Sequence, residues 1–224
     1  MKVSLYLCPV SPADEALLPL ISTQLAVEER ARADRFVAHD ARRVFIVAHA
    51  LLHHALGQLG FMAIKFALSD YGKPFLSGTS IRFSISHTEG LVAVAIAREI
   101  EIGVDVEFSR DLSDRERVAQ AVFCQEEIWE MDASAEPLER FFQLWTAKEA
   151  VMKATGLGFS LPPKQISFAG HQPRLVSLPP SLGVPWEWWL ESARIGNHWF
   201  ALAAPSRVNG VNRIDLCPSD LIPR

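Results

Sequence analysis

Cysteine is scarce in this chain. The 224 residues include three cysteines, Cys8, Cys124 and Cys217, which are odd in number and far apart. Metal sites built from cysteine need closely spaced pairs, and a disulfide framework needs an even and denser set. The cysteine content therefore excludes both and predicts a reducing compartment such as the cytoplasm.

A long hydrophobic run is also missing. The longest clean apolar stretch is LVAVAIA, whereas a membrane-spanning helix needs about 20 such residues. The apolar residues near the N-terminus are interrupted by Pro9, Pro12, Asp14 and Glu15, too early for a secretory signal peptide. We expect a soluble, cytoplasmic protein.

Positive charge is in deficit. The chain has 22 Lys and Arg residues against 26 Asp and Glu residues, which gives a formal net charge of −4. Nucleic-acid-binding proteins usually carry a basic surplus, so the balance disfavours that class. What is abundant is apolar: hydrophobic residues make up 49% of the chain, enough for a substantial core in one large or two small domains.

The predicted elements occur in the same order in both halves of the chain. The first half shows a strand at 3–8, a long helix over 40–60 with Asp40 as its predicted N-cap, and then three strands. The second half shows a strand at 101–107, a long helix over 137–156, and again three strands. The strands that follow the two helices are predicted at 62–68, 81–86 and 91–97, and at 165–169, 186–192 and 198–204.

This repeated order predicts an α+β fold of two similar lobes related by a pseudo-twofold axis. Each lobe would be a long helix packed on a mainly antiparallel sheet of three or more strands, with the active site between the lobes. The N-terminal lobe would span residues 1–100 and the C-terminal lobe residues 101–224. The tail after about residue 205 has little periodicity, and we expect it to be loosely held.

Two carboxylates stand two residues apart in the stretch GVDVEFSRD. Residues i and i+2 of a strand point to the same side, so Asp105 and Glu107 share one face, and Val104 and Val106 share the other. Like charges this close repel each other unless a cation lies between them. Oxygen ligands without His or Cys favour Mg²⁺ or Mn²⁺. On the spacing alone, an exposed strand face that carries solvated acids is the base case.

A second acidic position lies on the long helix of the second half. Trp145, Glu149 and Lys153 occur at i, i+4 and i+8 and therefore share one face. Lys148 is turned by about 100° from Glu149 around the helix axis. Glu149 could complete a three-carboxylate site with the strand acids, and Lys153 could bind an anion. An ordinary Glu–Lys ion pair is the simpler alternative.

Five segments together resemble the Sfp-type 4′-phosphopantetheinyl transferases. The paired signature of that family is similar to GVDVE followed by WTAKEAVMKATGLG, and further similarity lies in RADRF with DARR, in YGKP and in FSISHT. The segments occur in the family's order and cover roughly residues 28–163. The resemblance implies two α+β lobes and transfer of the phosphopantetheine arm of coenzyme A to a serine of an apo carrier protein, with adenosine 3′,5′-bisphosphate as the by-product.

The resemblance also implies roles for individual residues. Carriers of fatty-acid, polyketide and peptide synthesis are the implied partners of a monomeric enzyme, with Mg²⁺ as cofactor (Mn²⁺ possible). Glu149, or alternatively Glu107, would take the proton of the carrier serine. The implied metal ligands are Asp105, Glu107 and Glu149; the implied phosphate-binding or catalytic lysines are Lys153 and Lys148; and the implied coenzyme A contacts are Ser86, His87, Lys73, Arg43 and Arg32.

The sequence departs from the family pattern at a few positions. Thr88 stands where serine is common, and His53 and His54 stand where relatives often carry arginine. Two other activities remain compatible with the acidic residues. A metal-dependent nuclease also combines paired acids with a Glu and a Lys but would be expected to show a basic groove. A non-catalytic module that binds a carrier or coenzyme A would not need all three acids and both lysines.

Overall fold

The secondary structure is mixed, which confirms the α+β class. A computed structural model describes residues 1–61 and 64–223. The helices are α1 (Leu18–Ile21), α2 (Val27–Ala33), α3 (His39–Gly57), α4 (Arg115–Val122), α5 (Gln125–Asp132) and α6 (Pro137–Thr155). The strands are β1 (Lys2–Pro9), β2 (Phe66–Leu68), β3 (Pro74–Leu76), β4 (Ile81–Thr88), β5 (Leu91–Arg98), β6 (Gly103–Phe108), β7 (Ser167–Ala169), β8 (Arg174–Ser177), β9 (Trp189–Ile195), β10 (His198–Ala204) and β11 (Gly210–Asp215).

The described residues form two main β-sheets. The first has the strand order β11-β1-β5-β4, and the second has the order β6-β10-β9. All neighbouring strands in these sheets are antiparallel except β1 and β11, which run parallel. Two small hairpins, β2-β3 and β7-β8, complete the strand pairs. The strand predicted at 62–68 falls partly on residues 62–63, which lie outside the described residues, and β2 covers only its end.

Helix α3 packs on the first sheet. Its apolar residues, among them Val47, Leu51 and Ala55, are fully buried against strand residues such as Val94. The predicted N-cap is wrong: Ala38 occupies the cap position, and Asp40 lies in the first turn. A negative charge there still complements the partial positive charge at the helix N-terminus.

Helix α6 packs on the second sheet and is buried on almost every side. Phe141, Leu144 and Val151 are buried, and the same cluster contains Ala201 of β10. As predicted, a proline opens the helix and Gly156 ends it in the left-handed conformation, with φ +73°. The 19-residue helix therefore serves as the core of this half rather than as a surface layer.

Strand β6 begins at Gly103, which lies directly against α6. A Cβ atom at this position would lie 1.9 Å from the Ala150 carbonyl oxygen and 2.5 Å from the Ala154 nitrogen. No side-chain carbon tolerates such distances, so only glycine allows the strand and the helix to approach this closely. The close approach brings the acids of β6 beside the polar side chains of α6.

The expectation of a loosely held tail is wrong. Strand β11 pairs in parallel with β1, from Lys2 with Gly210 to Leu7 with Asp215. Leu221, further along, is buried in the core beneath the first sheet. The boundary near residue 100 and the pseudo-twofold relation of two lobes stay predictions, and β11 joins the sheet of the first hundred residues although it lies in the second half of the chain.

Several predicted strands begin later than expected. The strand predicted at 186–192 starts at Trp189, because Pro185–Glu187 forms a 3₁₀ turn. The strand predicted at 165–169 is shortened to β7 by a preceding 3₁₀ turn that contains Pro163. Across the described ranges, none of the helices combines the length and the hydropathy that a bilayer crossing requires.

Candidate active site

A pocket of about 390 Å³ lies where β4, β6 and α6 meet. Because the edge strands of the two main sheets face each other there, side chains from both sheets and from the long helix point into the same space. Seven of the predicted site residues line this pocket: Arg32, Ser86, His87, Asp105, Glu107, Glu149 and Lys153.

The two strand acids share one face, as predicted. Asp105 and Glu107 both line the pocket, whereas Val104 and Val106 of the same strand are buried in the core between the sheets. The alternation of apolar and acidic side chains along β6 thus anchors the strand on one side and exposes two carboxylates to the pocket on the other.

Asp105 is the most deeply buried of the three acids, with 3% of its surface exposed. Its Oδ1 accepts hydrogen bonds from Ser86 Oγ at 2.8 Å and from Lys153 Nζ at 2.6 Å. Within the described ranges its Oδ2 is buried and has no hydrogen-bond partner. An unpartnered carboxylate oxygen in a buried position is costly and therefore points to a ligand.

The other two acids have raised pKa values. Burial, followed by the charge of Asp105, raises the pKa of Glu107 and raises that of Glu149 to about 7. Glu107 is held by Trp145 Nε1 at 3.2 Å from its Oε1 and by Thr88 Oγ1 at 3.4 Å from its Oε2. The three carboxylates of the pocket thus repel each other, and a cation bound between them would reduce this repulsion.

Cationic and imidazole groups surround the acids. Lys153 forms an ion pair with Asp105, and Arg32 stacks over the Phe45 ring with its guanidinium carbon 5.2 Å from the ring centroid. Partial desolvation, followed by the charge of Lys153, lowers the pKa of His87. His87 is therefore held in its neutral form more than an ordinary histidine, which leaves it able to donate or accept a hydrogen bond.

The donor set fits a hard divalent cation. Each of the three acids has carboxylate oxygens that could serve as ligands, and among the described residues Asp105 Oδ2 is a buried oxygen without a partner. In the part of the chain that the structure describes, however, no three acidic, histidine or cysteine side chains already stand in a metal-binding arrangement. Lys153 occupies Asp105 Oδ1 instead, so a metal ion would have to bind beside or in place of this ammonium group.

The prediction that Lys148 contacts a phosphate is corrected by its position. Lys148 is 1% exposed and is buried among residues of the second half of the chain. Its Nζ is 2.8 Å from Glu127 Oε2 and 3.0 Å from the Pro163 carbonyl oxygen. Glu127 is fully buried and also accepts the N–H groups of Cys124 and Phe168. Because neighbouring helix residues diverge by about 100°, Glu149 points into the pocket whereas Lys148 points into the core.

The buried pair of Lys148 and Glu127 predicts a large effect on stability. Lys148→Met leaves the Glu127 carboxylate buried without its counter-charge, which should lower the free energy of unfolding by about 3–5 kcal/mol. Urea unfolding would measure this, with Lys164→Met as the control, since Lys164 is an exposed lysine. Adding Glu127→Gln to Lys148→Met should restore part of the loss. A Lys148→Met variant with unchanged stability would contradict the assignment.

Arg43 and Lys73 lie in cavities that adjoin the acid pocket. Arg43 is buried and pairs with Glu15 and Asp40 beside a cavity of about 600 Å³ that His87 also lines. Lys73 lines a cavity of about 250 Å³ that is shared with Lys153. The Lys73 ammonium is 2.7 Å from Glu101 Oε2 and 3.1 Å from the Ala154 carbonyl oxygen. Shared lining residues thus connect all three cavities.

The raised pKa of Glu149 predicts a pH-dependent stability difference. A carboxyl whose pKa is higher in the folded than in the unfolded chain stabilises the fold when protonated, and this contribution is lost as the pH rises through the folded value, here about 7. In chelator, we expect Glu149→Gln to melt above the parent chain at pH 8 and close to it at pH 4.5. Exposed Glu116→Gln is the control. An equal difference at both pH values would refute the repulsion.

Sequence reasoning missed several contacts around the pocket. His49 and His53 of α3 both bond to Glu29 of α2 at 2.7 Å and so tie α2 to α3. Burial alone would raise the pKa of Glu29, but the two histidine bonds outweigh it and lower that pKa. The i, i+4 spacing of the two histidines was the available signal. His53 therefore makes an internal contact with α2.

Comparisons with known proteins agree on one family. The sequence model of the 4′-phosphopantetheinyl transferase superfamily matches residues 101–203. The chain is 33% identical to the 4′-phosphopantetheinyl transferase HetI of Nostoc sp. over 171 residues, which cover 71% of this chain and 70% of that protein. It is also 28% identical to the 4′-phosphopantetheinyl transferase Sfp of Bacillus subtilis over 160 residues, which cover 69% of this chain and 70% of Sfp.

Proposed function

Because this chain belongs to the 4′-phosphopantetheinyl transferase superfamily, whose members use coenzyme A to modify carrier proteins, we propose that the pocket between β4, β6 and α6 is its active site. One observation carries the proposal: a single pocket collects three carboxylates, a lysine and a histidine from two sheets and one helix. Perturbed titratable groups that converge in one cleft are typical of active sites.

In the proposed reaction the serine hydroxyl of an apo carrier attacks the pantetheine-side phosphorus of the coenzyme A diphosphate. A new bond forms between the serine oxygen and phosphorus, and the bond from phosphorus to the bridging oxygen breaks. The serine proton passes to a base, and adenosine 3′,5′-bisphosphate leaves. Such transfers depend mainly on positioning and on neutralising the charge of the phosphate oxygens.

We propose Asp105, Glu107 and Glu149 as the groups that hold Mg²⁺, or Mn²⁺, in this pocket. When bound there, the ion would neutralise charge on the diphosphate oxygens. The support is the crowding of three acids and the unpartnered Oδ2 of Asp105. The ammonium group of Lys153, already in contact with Asp105, can donate to the same diphosphate.

Glu149 is the proposed base for the serine proton. A base needs a pKa near the working pH. Without a bound cation, burial together with the charge of Asp105 raises the pKa of Glu149 to about 7, and a cation held by the three acids would lower this pKa. Glu107 is the alternative, and its pKa is also raised. It is the weaker candidate because Trp145 and Thr88 already donate to its two oxygens.

For coenzyme A, we propose that the diphosphate lies in the acid pocket and that the rest of the molecule extends into the adjoining cavities. Arg32 and His87 line the pocket itself and are available for contacts with phosphate groups. Arg43 and Lys73 line the adjoining cavities and would have to exchange their present carboxylate partners for the ligand.

A mass measurement tests the proposed function. The chain is incubated with coenzyme A, Mg²⁺ and a panel of apo carriers from fatty-acid, polyketide and peptide synthesis, followed by intact mass spectrometry. We expect at least one carrier to gain the mass of one phosphopantetheine group, and the same carrier with its acceptor serine replaced by alanine to gain none. Transfer should cease in chelator. No gain on any carrier would refute the proposal.

A further inference from the structure

Strands β4 and β6 meet without belonging to one sheet. Strand β4 is the edge of the first sheet and β6 the edge of the second. Three hydroxyl groups of β4 connect them. Ser84 Oγ accepts the N–H of Val104 at 3.1 Å, Ser86 Oγ accepts that of Val106 at 3.2 Å, and Thr88 Oγ1 accepts that of Phe108 at 3.2 Å. We name these three bonds the hydroxyl seam.

The hydroxyl seam replaces the carbonyl groups of an ordinary β ladder. Buried backbone N–H groups need an acceptor, because an unsatisfied one costs about 1–3 kcal/mol. A hydroxyl satisfies this need as a carbonyl would, but it also has a proton to donate. Each rung of the seam can therefore direct a hydrogen bond toward a neighbouring side chain while it holds the strand.

Two of the three rungs donate to acids of the pocket. Ser86 donates to Asp105 Oδ1 at 2.8 Å, and Thr88 donates to Glu107 Oε2 at 3.4 Å. Each of these two hydroxyls thus donates a hydrogen bond to the carboxylate of an acid. The same hydroxyl accepts a hydrogen bond from the backbone N–H of the next residue in β6. In the described part of the chain, Ser84 Oγ accepts the N–H of Val104 and makes no hydrogen bond with a carboxylate.

The bonding capacity of Ser86 is already used. A serine hydroxyl donates once and accepts twice, and Ser86 donates to Asp105 and accepts from Val106 and from Lys153 Nζ at 2.9 Å. It is also buried. For the coenzyme A contact that the resemblance implies, Ser86 would have to release one of these partners.

We infer that Ser86 and Thr88 are positioning residues that aim Asp105 and Glu107 at the cation of the active site, an inference that rests on the proposed function. Ser84 provides the matched control, because its rung joins the strands without touching an acid. Loss of any rung removes one acceptor from a buried N–H, whereas only loss of the Ser86 or Thr88 rung also releases a carboxylate.

The test measures Mn²⁺ binding by electron paramagnetic resonance, beside thermal melting and transfer kinetics. Loss of a group that orients a metal ligand typically weakens metal binding by about 10–100-fold. We expect Ser86→Ala and Thr88→Val to raise the Mn²⁺ dissociation constant about tenfold or more, and Thr88→Ser to bind as the parent does. Ser84→Ala should also lower the melting temperature, because it too removes the acceptor of a buried N–H, yet it should leave the Mn²⁺ dissociation constant close to that of the parent.

Two outcomes would overturn the inference. In the first, Ser86→Ala and Thr88→Val bind Mn²⁺ as tightly as Ser84→Ala does. In the second, the parent chain transfers phosphopantetheine but binds no Mn²⁺, which would leave the transfer activity standing. A parent chain without transfer activity would instead contradict the proposed function, and its Mn²⁺ titrations would still decide whether the two hydroxyls position the acids.

Discussion

Asparagine in place of Asp105 is expected to lower the transfer rate by at least about 10²–10³-fold, the typical cost of losing one group that stabilises charge in a transition state. Asparagine keeps the shape of the side chain but removes the negative charge that pairs with Lys153. It also removes the charge that helps to raise the pKa of Glu149. A single atom exchange thus disturbs both the proposed cation site and the proposed base.

The measurement for Asp105→Asn is the initial rate of carrier modification at saturating coenzyme A, followed by intact mass. Circular dichroism should match the parent chain, because the buried core does not change. Asp111→Asn, which removes an exposed carboxylate just beyond β6, controls for the change in net charge and should keep the parent rate. Transfer by Asp105→Asn at the parent rate would exclude Asp105 from the chemistry.

Alanine in place of Gly103 should cause the largest loss of stability among single methyl additions to the glycines of this chain. The added Cβ would stand 1.9 Å from the Ala150 carbonyl oxygen, and neither the backbone of α6 nor that of β6 can yield without separating strand from helix. Overpacking of this kind costs about 3 kcal/mol or more. Urea unfolding should show the loss directly.

Gly57→Ala is the matched control for Gly103→Ala. Within the described residues, no atom lies within 4 Å of a Cβ built at Gly57, which is the last residue of α3. Alanine favours helix over glycine by about 0.5–1 kcal/mol, so this variant should be as stable as the parent chain or slightly more stable. A Gly103→Ala variant that unfolds at the parent urea concentration would show that the strand and the helix do not need their close contact.

The site acids were predictable from the sequence because strand geometry is regular. Alternation along β6 is enough to place Asp105 and Glu107 together, and the i, i+4 spacing aligns Glu149 with Lys153. The direction of Lys148 was not predictable in the same way. Helix α6 is buried on nearly all sides, so its apolar pattern does not reveal which polar side chain points to solvent, to the pocket or into the core.

Long-range partners were the other features that the sequence did not reveal. Neither the pairing of Gly210–Asp215 with β1 nor the tie of Glu29 to two histidines of α3 leaves a local pattern. The serines and the threonine of β4 look like the polar half of an ordinary alternating strand. Their role depends on a second edge strand that lies beside them, which single-strand periodicity does not specify.

The parallel pairing of β11 with β1 has a consequence for the order in which the chain folds during synthesis. Until the ribosome has added residue 215, β1 keeps one unpaired edge, although its other neighbour, β5, is complete more than a hundred residues earlier. Contacts between such distant segments form slowly, and an open edge invites wrong pairing in the meantime. The first sheet can therefore be completed only after β11 has been synthesised and has paired with β1.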